Sequence, residues 1–143
     1  MKRIVIRALV PTLSAFSVAV AFCLPQPSPV VAQDQTAQVV ELVAKKYEYS
    51  PSPVHVHAGT TVQLKITAVD HDHGFNIATA PDGSEPNSKP GLVFTSPQEC
   101  VQLKKGETTT IEFVAQTRGT YPFRCCHTCG LGHRGMKSQI VVD

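Results

Sequence analysis

The chain has 143 residues, 13 Lys or Arg against 11 Asp or Glu, and a net charge of +2. That length suits one ordinary domain and not two. So even a charge balance argues against nucleic acid or an anionic membrane surface as partner, since both need a basic face.

The N-terminal stretch is predicted not to belong to the mature protein. "MKRIVIR" is a basic start, "ALVPTLSAFSVAVAFCL" an apolar run, and "VVAQ" offers small residues for cleavage after Ala32. Residues 1–32 therefore read as an export signal, and the protein as periplasmic or otherwise exported. The competing reading is an uncleaved membrane anchor, which would put a membrane among the partners. Arg7 and Pro11 fit a spanning helix badly, and the apolar run is short for one. A lipid anchor on Cys23 is disfavoured by the bulky Phe22 before it. Cleavage leaves ten basic residues, eleven acidic ones and four cysteines. The default for a small exported domain with four cysteines is two disulfides.

Residues 33–38, "QDQTAQ", read as a polar tether, and residues 39–143 as the domain. From Val39 the pattern is β-like. "VHVHAGTTVQLKITAVD" alternates and is rich in β-branched residues, with a Gly turn inside it. "TTTIEFVAQ" alternates again, and "GTYPFRC" and "SQIVVD" are further strand candidates. No window sustains a helical period. The expectation is an all-β sandwich of about seven or eight strands. The Pro-rich stretch "ATAPDGSEPNSKPGLVFTSPQEC" is long and weakly patterned. It reads as a surface excursion or as holding a short element the pattern does not define.

Between the last two strand candidates stands "FRCCHTCGLGHRGMK", residues 123–137, with three cysteines, two histidines and the only methionine besides Met1. Thiolate, imidazole and thioether together are what copper prefers. A structural zinc site wants paired Cys-x2-Cys spacings and has no use for methionine. The "CHTC" pair resembles a thiol–disulfide redox motif, but such motifs open a helix beside a βαβ pattern, and this chain has none. Covalent haem needs a His directly after the second Cys, where Gly130 stands. A mononuclear blue-copper site could use Cys129, His133 and Met136 but leaves Cys125 unexplained.

The spacing Cys-x3-Cys-x3-His-x2-Met over Cys125, Cys129, His133 and Met136 resembles the copper loop of the binuclear CuA domain. That domain occurs in cytochrome c oxidase subunit II and nitrous oxide reductase. "CGLGHRGM" is especially close to the subunit II form. "DHDHGF", residues 70–75, is similar to the upstream Asp-x-x-His-x-Phe strand of the same family, placing Asp70, His73 and Phe75 on it. The resemblance implies a cupredoxin Greek-key sandwich holding two copper ions as its cofactor. Cys125 and Cys129 would be bridging thiolates. His73 would bind one copper, with Met136 as its weak axial ligand. His133 would bind the other, with the backbone carbonyl of His127 as its weak ligand. The family's usual Glu between the cysteines is here His127, and Trp, usual at the electron-entry surface, is absent. These departures, with no second hydrophobic helix in the sequence, argue against an ordinary oxidase subunit docked in the usual way.

The expected role is a one-electron carrier rather than an enzyme by itself, serving a cytochrome c oxidase-like or nitrous oxide reductase-like system. Its partner would be a redox protein such as a cytochrome. Copper delivery to an acceptor and a mononuclear blue-copper carrier stay open as other readings. His55 and His57, at i and i+2, would share one strand face, read as polar and solvated, with an auxiliary copper site as the alternative. His71 is expected to point away from His73 and lie exposed beside the site. Cys100 and Cys126 are left over; they either form a disulfide or stay apart.

Overall fold

The computed structural model describes residues 36–97 and 99–143. The expected export signal over residues 1–32 lies outside them, as does most of the expected tether. The strands are β1 (Gln38–Lys45), β2 (Glu48–Ser50), β3 (Val54–Val56), β4 (Thr61–Ala68), β5 (His73–Ile77), β6 (Leu92–Phe94), β7 (Val101–Leu103), β8 (Thr108–Ala115), β9 (Gly119–Arg124) and β10 (Lys137–Val142). A single 3-10 turn, His133–Gly135, precedes β10. Among the described residues no helix is long and apolar enough to cross a membrane.

Period-two alternation builds the core. In β4, Val62, Leu64, Ile66 and Ala68 are buried while the residues between them reach the surface. In β8, Ile111, Phe113 and Ala115 do the same. Side chains of this kind each contribute about 1.5–3 kcal/mol when fully buried. The strands form two five-stranded sheets, β2-β1-β4-β8-β6 and β3-β10-β9-β5-β7. From β3 to β9 the chain passes from one sheet to the other at every connection. Both inner faces thus draw on the whole sequence, as a sandwich requires.

The sandwich matches the sequence-based expectation, with ten strands in place of seven or eight. The surplus lies in β2, β6 and β7, each three residues long. Three residues are too few for alternation to register. β6 lies within the Pro-rich excursion. It pairs with β8 at Leu92–Ala115, Val93–Val114 and Phe94–Phe113, and buries Leu92.

Parity also aims the site. In β9, Tyr121 and Phe123 point inward, and Cys125 continues that series just past the strand end. In β5, His73, Phe75 and Ile77 share the inward face. β5 pairs with β9 through Asn76–Arg124 and Ile77–Phe123, so His73 and Cys125 arrive at one end of the sandwich.

Candidate metal centre

At that end the ligand atoms of His73, Cys125 and Cys129 all lie within 4.8 Å of one another. His73 is fully buried, and Cys125 and Cys129 are 3% and 7% exposed. The two cysteines are free thiols. Their sulfurs stand 3.8 Å apart, far beyond the about 2.05 Å of a disulfide. Two thiolate–metal bonds of about 2.3 Å can span that gap. Met136, also fully buried, brings its Sδ to 3.9 Å from Cys129 Sγ. The carbonyl oxygen of His127 lies 3.1 Å from Cys125 Sγ. The four side chains and the carbonyl singled out in the sequence therefore meet. His133 sits to one side, half-buried, in a pocket of about 460 Å³ with Arg124, Cys125, Cys126 and Arg134.

Asp70 orients His73. Its Oδ1 lies 2.8 Å from His73 Nε2, and it accepts backbone N–H bonds from His71 at 2.8 Å and Lys46 at 2.9 Å. Burial alone would raise this carboxyl, but the hydrogen bonds from His73, Lys46 and His71 outweigh it and hold it down at about 2. An ionised carboxylate only accepts, so Nε2 must carry the proton. Nδ1, on the other side of the ring, is buried without a hydrogen-bond partner. His133 Nδ1 is orphaned in the same way. A buried polar atom left unpaired costs about 1–3 kcal/mol. The unpaired His73 nitrogen beside two buried thiols fits a soft metal centre, and His133 offers a second unpaired nitrogen in the adjoining pocket. Burial, then the neighbouring Cys125, pushes the Cys129 thiol up to about 11.

The loop that carries these groups is held closely. Cys125 N–H donates to Met136 O at 2.9 Å, closing the loop at its base. Cys126, next to Cys125, forms a disulfide with Cys100 just before β7. This resolves the open pairing, and the default of two disulfides is replaced by one disulfide and two free thiols. Gly74 N–H points to Cys125 Sγ at 3.4 Å. A Cβ on Gly74 would meet Cys126 Sγ at 2.6 Å and His127 N at 2.7 Å. Tyr47 packs over the loop's glycines, leaving no room for a Cβ on Gly132, whose position is 2.2 Å from the ring.

Some supports escape sequence reading. Tyr49 of β2 donates its hydroxyl to Gly74 O at 2.5 Å; burial, then Cys125 beside it, raises its pKa. Nothing local to "EYS" signals this, because the partner is 25 residues away. Gly74 carries a weak signal, a glycine inside a strand pattern, which marks close backbone approach. His71 is exposed as expected, but not through alternation. Residues at i and i+2 of a strand share a face, and His71 escapes because β5 begins only at His73.

Residues 14–142 match the family model of the cupredoxin-like domain. The chain is 31% identical over 103 residues to cytochrome c oxidase subunit 2 of Thermus thermophilus, covering 72% of this chain and 64% of that protein. It thus spans less than two thirds of that relative's length. Among solved structures, the periplasmic domain of subunit II of cytochrome oxidase from Bradyrhizobium japonicum aligns with a TM-score of 0.55 at 15% identity, over 74% of this chain and 83% of that one. Reduced auracyanin from Roseiflexus castenholzii aligns with a TM-score of 0.54 at 20% identity, over 75% of this chain and 98% of that one. At such identities these two structures bear on the fold alone.

Proposed function

The chain belongs to the cupredoxin-like domain family, and from that premise we propose that it is an exported one-electron carrier with a two-copper centre. The observation that carries this is the pair of buried free thiols, 3.8 Å apart, set beside His73, whose buried Nδ1 lacks a partner. Mononuclear copper would need one thiolate; a second one in the same buried cluster is accounted for when both bridge two ions. The likeness to cytochrome c oxidase subunit 2 supports the same reading.

In this reading Cys125 and Cys129 would hold both ions, His73 and His133 would each hold one, and Met136 and the His127 carbonyl would be weak ligands. Bound copper would supply one-electron redox chemistry. The protein's part is to keep the ligands still and dry. Asp70 fixes the ring of His73, and the disulfide and Gly74 fix the loop. Burial of His73, Cys125 and Met136 excludes water. Ligands that move little between redox states keep the barrier to electron transfer small. His133, half-buried in a pocket with Arg124 and Arg134, is the most open of the side-chain ligands, and electrons would pass to a redox partner there.

Competition with a chelator, combined with stopped-flow electron exchange, separates carriage from copper delivery. The reduced, copper-loaded protein should keep its metal against a moderate chelator and exchange electrons rapidly with a small cytochrome. Ready copper loss with sluggish exchange would assign it to delivery.

A further inference from the structure

At the other end of the sandwich a second set of ligand-capable side chains converges. His55 Nδ1 lies 3.5 Å from Asp143 Oδ2, and His57 Nδ1 lies 3.4 Å from Asp143 Oδ1. One carboxylate thus faces two imidazoles, an oxygen to each. The geometry points to a surface site for a borderline divalent cation, Cu2+ or Zn2+, formed by His55, His57 and Asp143.

Three observations carry it. The donors are two imidazoles and a carboxylate with no sulfur, a set suited to Cu2+ and Zn2+ rather than to Cu+. The spacing also fits. Two bonds of about 2.0–2.1 Å meeting at the tetrahedral angle set nitrogen and oxygen about 3.3–3.4 Å apart. The observed separations of 3.4 and 3.5 Å exceed the about 2.7–3.2 Å of an ordinary N–H···O bond. Each imidazole–carboxylate pair is too long for a good hydrogen bond and close to the separation of two ligands on one ion. The three side chains do not meet at one point as they stand, and rotation of the exposed rings would bring them there.

The third observation is the backbone beneath. Asp143 N–H donates to Val56 O at 3.1 Å and Ala58 N–H to Asp143 O at 2.9 Å, so Asp143 is laced to both sides of His57. Gln38 bridges the histidines from β1. Its Nε2 donates to His55 O at 3.2 Å, and its Oε1 accepts from His57 N–H at 3.0 Å. Thr60 Oγ1 donates to His57 O at 2.7 Å. The side chains themselves are open to solvent, at 60%, 75% and 54% exposure for His55, His57 and Asp143. An ion can therefore enter freely, and side-chain rotation alone completes the sphere. Water would fill the remaining positions, so such a site exchanges its metal readily.

This site is independent of the thiol centre. β10 runs between them, joining the loop's end at Lys137 to Val142 beside β3. Its six residues, at about 3.3 Å each, separate the sites by about 20 Å.

The test uses protein whose thiol centre is already filled with copper, titrated with Zn2+ in a calorimeter. One further equivalent should bind. His57→Gln and Asp143→Asn should each weaken it by more than about tenfold, a loss usual even for groups that only support a ligand. Both replace exposed side chains, and an unchanged melting temperature without zinc certifies their fold. In parallel, zinc should move the His55 and His57 ring resonances and leave those of His71 in place. No further equivalent, or undiminished uptake in both variants, would overturn the proposal and leave the cluster as a hydrated ion pair.

Discussion

Asp70 and Met136 act on the centre in different ways. Asp70 works through another residue: it holds the His73 ring by Nε2 and leaves Nδ1 without a partner. Met136 stands in the cluster itself, fully buried, with Sδ at 3.9 Å from Cys129 Sγ. A buried methionine ordinarily fills space, and leucine does that at a cost below about 1.5 kcal/mol. As a weak axial ligand it would instead tune the potential. Met136→Leu should keep the fold and both coppers while raising the reduction potential, because losing an electron donor costs the more highly charged oxidised state more. Spectroelectrochemistry of the loaded variant decides the matter; an unchanged potential would make Met136 a core residue only. At this scale the sequence is unusually legible, since Asp70, His73, Cys125, Cys129 and Met136 all stand in short motifs whose spacing survives folding. His133 is legible as a ligand type, but its half-buried place beside Arg124 and Arg134 is not, because the end of β9 and the turn before β10 set it together.

The centre depends on β5 lying directly against the loop after β9. Gly74 makes that approach, and Cys126 is tied by its disulfide to Cys100, so its sulfur cannot swing aside. A methyl group at position 74 would meet both that sulfur and the backbone of His127. Overpacking of this kind costs about 1–3 kcal/mol. Gly74→Ala should lower the melting temperature of the metal-free protein by several degrees and weaken copper binding, the loop being displaced from His73. Calorimetric melting and a copper titration check this; parent values in both would mean that the loop accommodates a side chain. The long strands β4 and β8 were readable because eight residues give alternation room to show. β2 was not, although it carries Tyr49, whose hydroxyl holds the Gly74 carbonyl. Its burial pattern of one inward residue between two exposed ones is indistinguishable in sequence from a turn. The Cys100–Cys126 bond was likewise undetermined, since its 26-residue separation says nothing of distance in space.

Across the whole molecule the two sheets serve as a frame with unlike ends. One end gathers sulfur and buried imidazole, the other exposed imidazole and carboxylate. The sulfur-bearing end would suit copper in either redox state, and the sulfur-free end divalent ions only. The frame itself is close-packed, with Tyr49, Phe75 and Phe123 stacked edge-on or tilted at 5.0 to 6.2 Å directly beneath the thiol centre's strands. Packing at that density resists displacement, which a carrier needs and a donor of copper does not. In the proposed centre two coppers would share one pair of thiolates. Copper analysis of the purified protein, combined with the electron paramagnetic resonance spectrum of its oxidised form, tests it most directly. The prediction is two coppers at the thiol centre and a hyperfine pattern from one unpaired electron shared equally by both nuclei, lost in Cys129→Ser. One copper with the hyperfine lines of a single nucleus, or a parent-like spectrum in Cys129→Ser, would contradict it.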